Sequence, residues 1–327
     1  MANRDIIAIG ASNGGIEALK ELASALPREF PASVFVVQHL GAGSPGLLGQ
    51  ILARETPLPT FAPKDGASIE PGRIYVAPPD RHMLLERGRV RIVRGPKENR
   101  HRPAIDPLFR SAAWAYGPRV IGVVLTGELD DGTAGLWAIK TCGGVSVVQD
   151  PDDAIAQSMP RNALAYNDVD HCVALSELGA LLTRLVAEEL PVGEAPGVPD
   201  AVKTEVEFAA MNGRMEDMGK LGAVSSFTCP TCRGALWELT SEGLLHYRCH
   251  TGHAFAPESL VAEQSVAVEN ALYSALRVVE EKSAVLRRLG AGALPNASFS
   301  LSDYRDRATD LDATAKVLRG LLSGDRS

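Results

Sequence analysis

Short β-branched runs alternate with stretches of helical periodicity from Asp5 to about Leu190, and this alternation constrains the fold more than any other feature of the chain. The runs are Asp5 to Gly10, Ser33 to Gln38, Ile74 to Ala77, Arg119 to Thr126, Val145 to Gln149 and His171 to Leu175. Strands joined through helices make βαβ units, so the pattern predicts an α/β domain around a mostly parallel sheet. His82 to Arg94, with Arg87-Gly88-Arg89 between two apolar stretches, reads as a β-hairpin inserted at an edge of that plan.

A chain of 327 residues exceeds one average domain, and its composition breaks where such a domain would end. Residues 1–190 carry the alternation, and 191–226, with Pro191, Gly193, Pro196, Gly197 and Pro199, have the composition of a linker. Residues 227–256 hold a compact cysteine module, and 257–327 are a helical tail. In the tail, Val268, Leu272, Ala275, Val279, Leu286 and Leu289 recur at helical spacing. Tyr304, Ala308, Leu311, Ala315, Leu318 and Leu322 keep steps of four and three, so the two helices could pair with each other or, as a homo-oligomer, with a second chain.

With 40 acidic against 33 basic side chains, nucleic acid is not an electrostatically favoured partner. No apolar run approaches membrane-spanning length, and the first residues lack the basic and long apolar regions of a secretory signal, so no membrane insertion and a cytoplasmic location are expected.

The first strand leads into Gly10-Ala11-Ser12-Asn13-Gly14-Gly15 and then a helical pattern from Ile16 to Leu26. A dinucleotide fingerprint needs glycine where Ser12 stands and an acidic residue where the second strand ends in Gln38-His39, so the nucleotide reading fails twice. Alone, Ser12 is a helix cap and His39 a strand-boundary residue. Together with Asp130 and Asp131, which follow the long strand ending at Thr126, they all lie beyond carboxyl ends of predicted parallel strands, where α/β folds build sites. Serine needs a base, imidazole titrates in the useful range, and a carboxylate fixes the imidazole tautomer, so these residue types together favour a catalytic triad with a serine nucleophile.

These residues resemble the catalytic domain of the CheB-type chemotaxis protein-glutamate methylesterases. The resemblance runs in order through Gly10 to Gly15, Val37-Gln38-His39-Leu40, Ile74 to Pro79, Arg102 to Phe109, Leu125-Thr126-Gly127 with Asp131-Gly132, and Met159-Pro160-Arg161. It implies a doubly wound sheet and a triad of Ser12, His39 and Asp131, Asp131 being the residue that precedes the glycine. Asp130 by itself reads as a solvated loop charge. The implied reaction is hydrolysis of glutamate γ-methyl esters on a methylated chemoreceptor or related signalling protein, often with glutamine deamidation, and it needs no cofactor. Backbone amides at Asn13 and near Glu128 are expected to receive the oxyanion. Asn99-Arg100-His101-Arg102 resembles a basic stretch that would take an acidic receptor segment, and read on its own is a solvated charge cluster.

Three departures from that pattern bear on function. The defining member carries an N-terminal receiver domain and here the catalytic strand starts at residue 5, which makes a receiver-domain protein acting in trans a candidate regulator. Asn13 replaces a threonine. Glu128-Leu129 replace Met-Gly, setting a carboxylate near the oxyanion and a side chain where positive φ would favour glycine. The alternative reading is therefore a signalling adaptor that kept the fold and lost catalysis.

Cys229-Pro230-Thr231-Cys232 is followed after sixteen residues by Cys249-His250-Thr251-Gly252-His253, the spacing of a zinc-ribbon-like structural site. Cys229, Cys232 and Cys249 are expected ligands with His253 as the fourth, His246 remaining an alternative. Cys142 and Cys172 are expected core thiols.

Overall fold

The computed structural model describes residues 3–190, 196–241, 244–291 and 301–323. Residues 1–260 form one compact unit and 261–327 a second.

In the first unit the chain runs β1 (Ile6–Ala11), α1 (Gly15–Ala25), β2 (Ser33–Gln38), α2 (Leu48–Leu52), β3 (Thr60–Phe61), β4 (Ile74–Val76), β5 (His82–Glu86), β6 (Arg89–Val93), α3 (Ile105–Tyr116), β7 (Val120–Val124), α4 (Thr133–Thr141), β8 (Val145–Gln149), α5 (Ser158–Tyr166), β9 (His171–Val173) and α6 (Leu175–Ala187). Every expected strand is present, with β3 added at an edge. The seven strands pair in parallel in the order β3-β4-β2-β1-β7-β8-β9. Alternate side chains point to opposite faces, so β1 sends Ile7 and Ile9 into one core with α1, α2 and α6, and Ile6 and Ala8 into another with α3, α4 and α5. Apolar cover on both faces is what near-continuous β-branched strands require. The result is a doubly wound sheet whose direction of winding reverses between β1 and β7.

Three expectations are corrected. The hairpin β5–β6 is a separate two-stranded sheet, burying Met83, Leu85 and Val90 with α3 in the second core. Within the expected linker 191–226, α7 (Asp200–Ala209) is a packed helix followed by the short α8 (Met218–Leu221). Val202, Val206 and Ala209, at spacings of four and three, form a stripe narrow enough to pass for polar composition, and all three are buried. Cys172 is exposed because β9 is an edge strand, whereas Cys142 is buried.

The ribbon is a four-stranded antiparallel sheet, β10 (Ala223–Thr228), β11 (Ala235–Ser241), β12 (Leu244–Cys249) and β13 (Ala254–Phe255). It belongs to the same compact unit as the sheet domain because a buried charge cluster joins them. Arg248 on β12 is fully buried and donates to Glu98 at 3.0 Å, to Glu205 of α7 at 2.9 Å and to the Gly252 carbonyl at 2.8 Å. Arg110 of α3 pairs with the same two carboxylates, and His246 lies 3.1 Å from Glu205.

Helix α9 (Pro257–Gly290) starts in this unit and continues into the second, where α10 (Leu301–Ser323) follows. Within the second unit Ser283 donates to Asp312 at 2.7 Å, Arg287 pairs with Asp312 and Arg319 with Glu280, and Tyr304, Ala308 and Ala315 are buried. Val268 and Tyr273 stay exposed. No helix among the described residues is long and apolar enough to cross a membrane.

Candidate active site

Ser12, His39 and Asp131 follow β1, β2 and β7, neighbours in the sheet, at the carboxyl edge beside the winding reversal. Ser12 sits on a tight strand-to-helix turn: its N–H donates to the Thr126 carbonyl at 2.9 Å, its carbonyl accepts from Gly15 N at 2.9 Å, and Gly14 takes φ +77° ahead of α1. Close approach here demands glycine at 127, where a Cβ would lie 2.7 Å from that of Ser12. Gln38, buried at the end of β2, donates to the Ser12 carbonyl at 2.7 Å and braces the turn.

His39 Nδ1 lies 3.0 Å from Ser12 Oγ and Nε2 lies 2.7 Å from Asp131 Oδ2, so the imidazole bridges hydroxyl and carboxylate. The carboxylate of Asp131 also accepts from Ile105 N at 2.7 Å, Asp106 N at 3.2 Å, Gly132 N at 3.0 Å and Asn99 Nδ2 at 2.9 Å. Those amides open α3 and α4, whose dipoles favour a negative charge at that point. Burial alone would raise the Asp131 carboxyl, but the hydrogen bond and charge of His39 with these donors hold it well below the usual carboxylate range.

Beneath it lies Asp106, accepting from Gly135 N at 2.7 Å, Gly132 N at 3.1 Å and Asn99 Nδ2 at 2.7 Å. Burial and the adjacent Asp131 charge push Asp106 well above the ordinary value, so the negative charge of this pair resides on Asp131, the member that faces His39. The His101 ring stacks on His39 with centroids 3.6 Å apart and planes 7° apart. Burial, and then the His39 charge, push His101 down to about 3, which keeps it a neutral aromatic cover.

Of the remaining expected residues, Asn13 and Arg102 line the cleft beside Ser12 and Glu128 does not. Asn13 donates to Glu128 at 3.4 Å, and Glu128 is exposed and also accepts from Ser158 at 3.1 Å, so its carboxylate is turned to these groups and solvent. Leu129 does adopt φ +64° and is pinned by Ser158 and Asn162. The N–H groups of Asn13 and Glu128 donate to no protein acceptor among the described residues. Arg102 lines the same cleft of about 410 Å³, but its guanidinium is committed to Asp80 at 2.6 and 2.9 Å and to the Gly95 carbonyl at 2.7 Å. Lys97 and Arg100 are the other basic residues there.

Two readings are corrected. Asp130 is not a solvated charge: it is 3% exposed, accepts from Glu258 N at 3.1 Å and from the Ser259 hydroxyl, and caps the start of α9. Asn99 is not part of a solvated cluster either, since it is buried against the two aspartates. Asp106 and Gln38 are site residues that sequence reasoning left without a role, and Asn99 and His101, read there only as part of a basic stretch, instead pack against Asp131 and His39; the only signal was their place inside the ordered motifs.

Residues 7–182 match the family model described as CheB methylesterase. The chain belongs to the CheB methylesterase family. A Leptospira interrogans relative, named provisionally as a protein-glutamate methylesterase/protein-glutamine glutaminase, is 39% identical over 184 residues, which cover 56% of this chain and 95% of the relative. Nearly all of that relative is matched, so the ribbon and tail have no counterpart in it. A Geobacter sulfurreducens protein-glutamate methylesterase/protein-glutamine glutaminase is 38% identical over 53% of this chain and 48% of its own length. The crystal structure of the Thermotoga maritima CheB methylesterase catalytic domain superposes with a TM-score of 0.54 at 31% identity, covering 57% of this chain and all of that one.

In the ribbon, the ligand atoms of Cys229, Cys232, Cys249 and His253 lie within 4.8 Å of one another. Cys232 and Cys249 Sγ are 3.6 Å apart, and His253 Nδ1 is 3.6 Å from Cys249 and 3.9 Å from Cys229. Tetrahedral zinc with bonds of about 2.3 Å to sulfur has edges of about 3.8 Å, so this donor set fits the ion. His246, the alternative ligand, is instead engaged with Glu205.

Proposed function

We propose that this chain hydrolyses glutamate γ-methyl esters on a chemoreceptor or related signalling protein, and glutamine side-chain amides by the same route, through Ser12, His39 and Asp131. The observation that carries the reading is the His39 ring held 3.0 Å from Ser12 Oγ and 2.7 Å from Asp131. The names of the relatives support the substrate class.

Resting His39 carries its proton on Nε2, toward Asp131, which leaves Nδ1 as the base. Ser12 Oγ attacks the ester carbonyl carbon while Nδ1 takes the hydroxyl proton, and the oxyanion is received by the N–H groups of Asn13 and Glu128. The proton then passes from Nδ1 to the methoxy oxygen, methanol leaves, and the γ-glutamyl group remains esterified to Ser12. Water gives a proton to Nδ1 and attacks this ester, and collapse returns that proton to Ser12 and frees the glutamate as its acid, which loses its remaining proton to solvent. With glutamine the leaving group is ammonia. His39 makes both proton transfers at the nucleophile and the leaving group, so no cofactor takes part in the proposed reaction.

Lys97 and Arg100 at the cleft support an acidic receptor segment as the bound partner, with a receiver-domain protein in trans as regulator. Zinc held by Cys229, Cys232, Cys249 and His253 is proposed as structural, since four protein ligands leave no open position. Reduced cysteines suit a cytoplasmic protein, and exposed Val268 and Tyr273 of α9 support pairing with a second copy.

The strained Leu129 and the Glu128 carboxylate beside the nucleophile favour one second reading, an adaptor with slow or lost chemistry. Methanol release from membranes bearing methylated receptors separates the two. Release by wild type and none by Ser12→Ala is expected; no release by folded wild type on its host's receptors would favour the adaptor.

A further inference from the structure

Residues 254–259, leaving the ribbon and opening α9, reach the triad acid from behind through two of its neighbours. The first is Asn99. Its N–H donates to the Ala254 carbonyl at 2.8 Å, and its side-chain oxygen accepts from Ala256 N at 2.8 Å. Its amide nitrogen divides its two hydrogens between Asp131 at 2.9 Å and Asp106 at 2.7 Å. A carboxamide offers two donors and an acceptor, and here each is used. The bond from Ala256 settles which way the group faces: with the oxygen taken, the NH₂ must point at the aspartates. Asn99 also holds φ +46°, a conformation asparagine tolerates but does not prefer.

The second neighbour is Asp130, adjacent to Asp131 in the chain. It accepts from Glu258 N at 3.1 Å and from the Ser259 hydroxyl, while the Glu258 carboxylate accepts from Asn162 at 2.8 Å. The segment is itself anchored, because Arg248 ties the ribbon to Glu98, the residue before Asn99. None of these ribbon residues lines the cleft that holds Ser12. The module therefore leaves substrate access alone and bears on the carboxylate that orients His39.

We propose that Ala254–Ser259, through Asn99 and Asp130, is a positioning element for Asp131, which makes the ribbon a working part of this chain's esterase site rather than a separate docking module. The inference rests on the triad reading above. The Leptospira relative, matched over 95% of its length, has no room for such a module. In this chain the backbone of residues 254–256 meets the buried polar groups of Asn99, so loss of the segment leaves those groups open.

The test uses the full-length protein and Ala256→Pro, which deletes the N–H that orients Asn99. A fluorophosphonate probe reads the rate of Ser12 modification, and methyl-ester turnover gives kcat and KM separately. The expected result is a fall of roughly 10- to 100-fold in both labelling rate and kcat, the range for misplacing a catalytic group by about 1 Å, with KM within about twofold because the cleft is untouched. A purely structural role would lower melting temperature without that split. Should Ala256→Pro fail to fold, Arg248→Lys, which keeps the buried charge but not the fork of bonds to Glu98 and Glu205, reads the same coupling from the ribbon side. Folded variants labelled as fast as wild type would overturn the positioning role and leave the triad standing. Absence of labelling in wild type would overturn both.

Discussion

Replacing Glu205 by glutamine changes little volume and removes one charge from a buried cluster whose balance can be read directly. Arg110 and Arg248 supply two positive charges, Glu98 and Glu205 two negative ones, and all four side chains are at most 6% exposed. Glu205 accepts from Arg248 at 2.9 Å and from His246 at 3.1 Å, and forms an ion pair with Arg110 at 3.3 Å. Glu205→Gln leaves two guanidiniums sharing one carboxylate, a net buried positive charge of the kind that costs about 3–5 kcal/mol. At about 2–4 °C per kcal/mol for a unit of this size, the melting temperature should drop by roughly 6–20 °C. Burial opposes ionisation of Glu205, but Arg110 and His246, with Arg248, hold it well below 4.5. A depressed carboxyl stabilises above its unfolded value and loses that contribution as pH falls through the folded one, so the deficit of the variant should be full at pH 7 and shrink below about pH 4.5. Urea unfolding followed at Trp237 in the ribbon and at Trp114 in α3 provides the assay. Arg248→Met on top of Glu205→Gln restores neutrality and should give a coupling energy above about 1.5 kcal/mol. A loss under about 1 kcal/mol, or a Trp237 transition separate from that of Trp114, would refute the claim that this cluster makes one unit of ribbon and sheet domain.

Three further outcomes are expected. Burial pushes Asp130 up to about 6 from 3.8, so wild-type stability should decline as pH rises through that interval, and Asp130→Asn should gain up to roughly 3 kcal/mol at pH 7.5 and nothing near pH 4; urea midpoints at the two pH values check this. His101, pushed down to about 3 from 6.5, refuses a proton the unfolded chain accepts, so its contribution is lost as pH falls below about 6.5; His101→Phe, which keeps the stack on His39, should unfold less readily than wild type at pH 5 relative to pH 7.5 in the same titration. Metal analysis should find about one zinc per chain, lost in Cys232→Ser, and chelation should lower the transition reported by Trp237; retention of zinc by that variant would contradict the ligand set.

What the sequence revealed and hid follows from where each residue finds its partners. The parallel strands were legible because two-sided burial makes them β-branched runs, and Ser12, His39 and Asp131 were legible because each stands just past such a run. Asp130 and Asn99 looked like surface residues because what buries them, residues 254–259, comes more than 120 positions later, beyond any periodicity. Helix α7 hid behind the prolines and glycines before it, and its buried Glu205 read as polar composition although its partners are Arg110 and Arg248. Leu129 shows the converse, since its strain was readable from the glycine that its motif would carry, and the backbone does adopt φ +64°.

The central claim, that Ser12, His39 and Asp131 work together as an esterase triad, is tested most directly by mapping the fluorophosphonate adduct in the full-length protein by peptide mass spectrometry. The account predicts one modified residue, Ser12, with labelling slowed by at least about 100-fold in His39→Gln and in Asp131→Asn while both variants remain folded. An adduct elsewhere, or a Ser12 labelled as fast without His39 as with it, would contradict it.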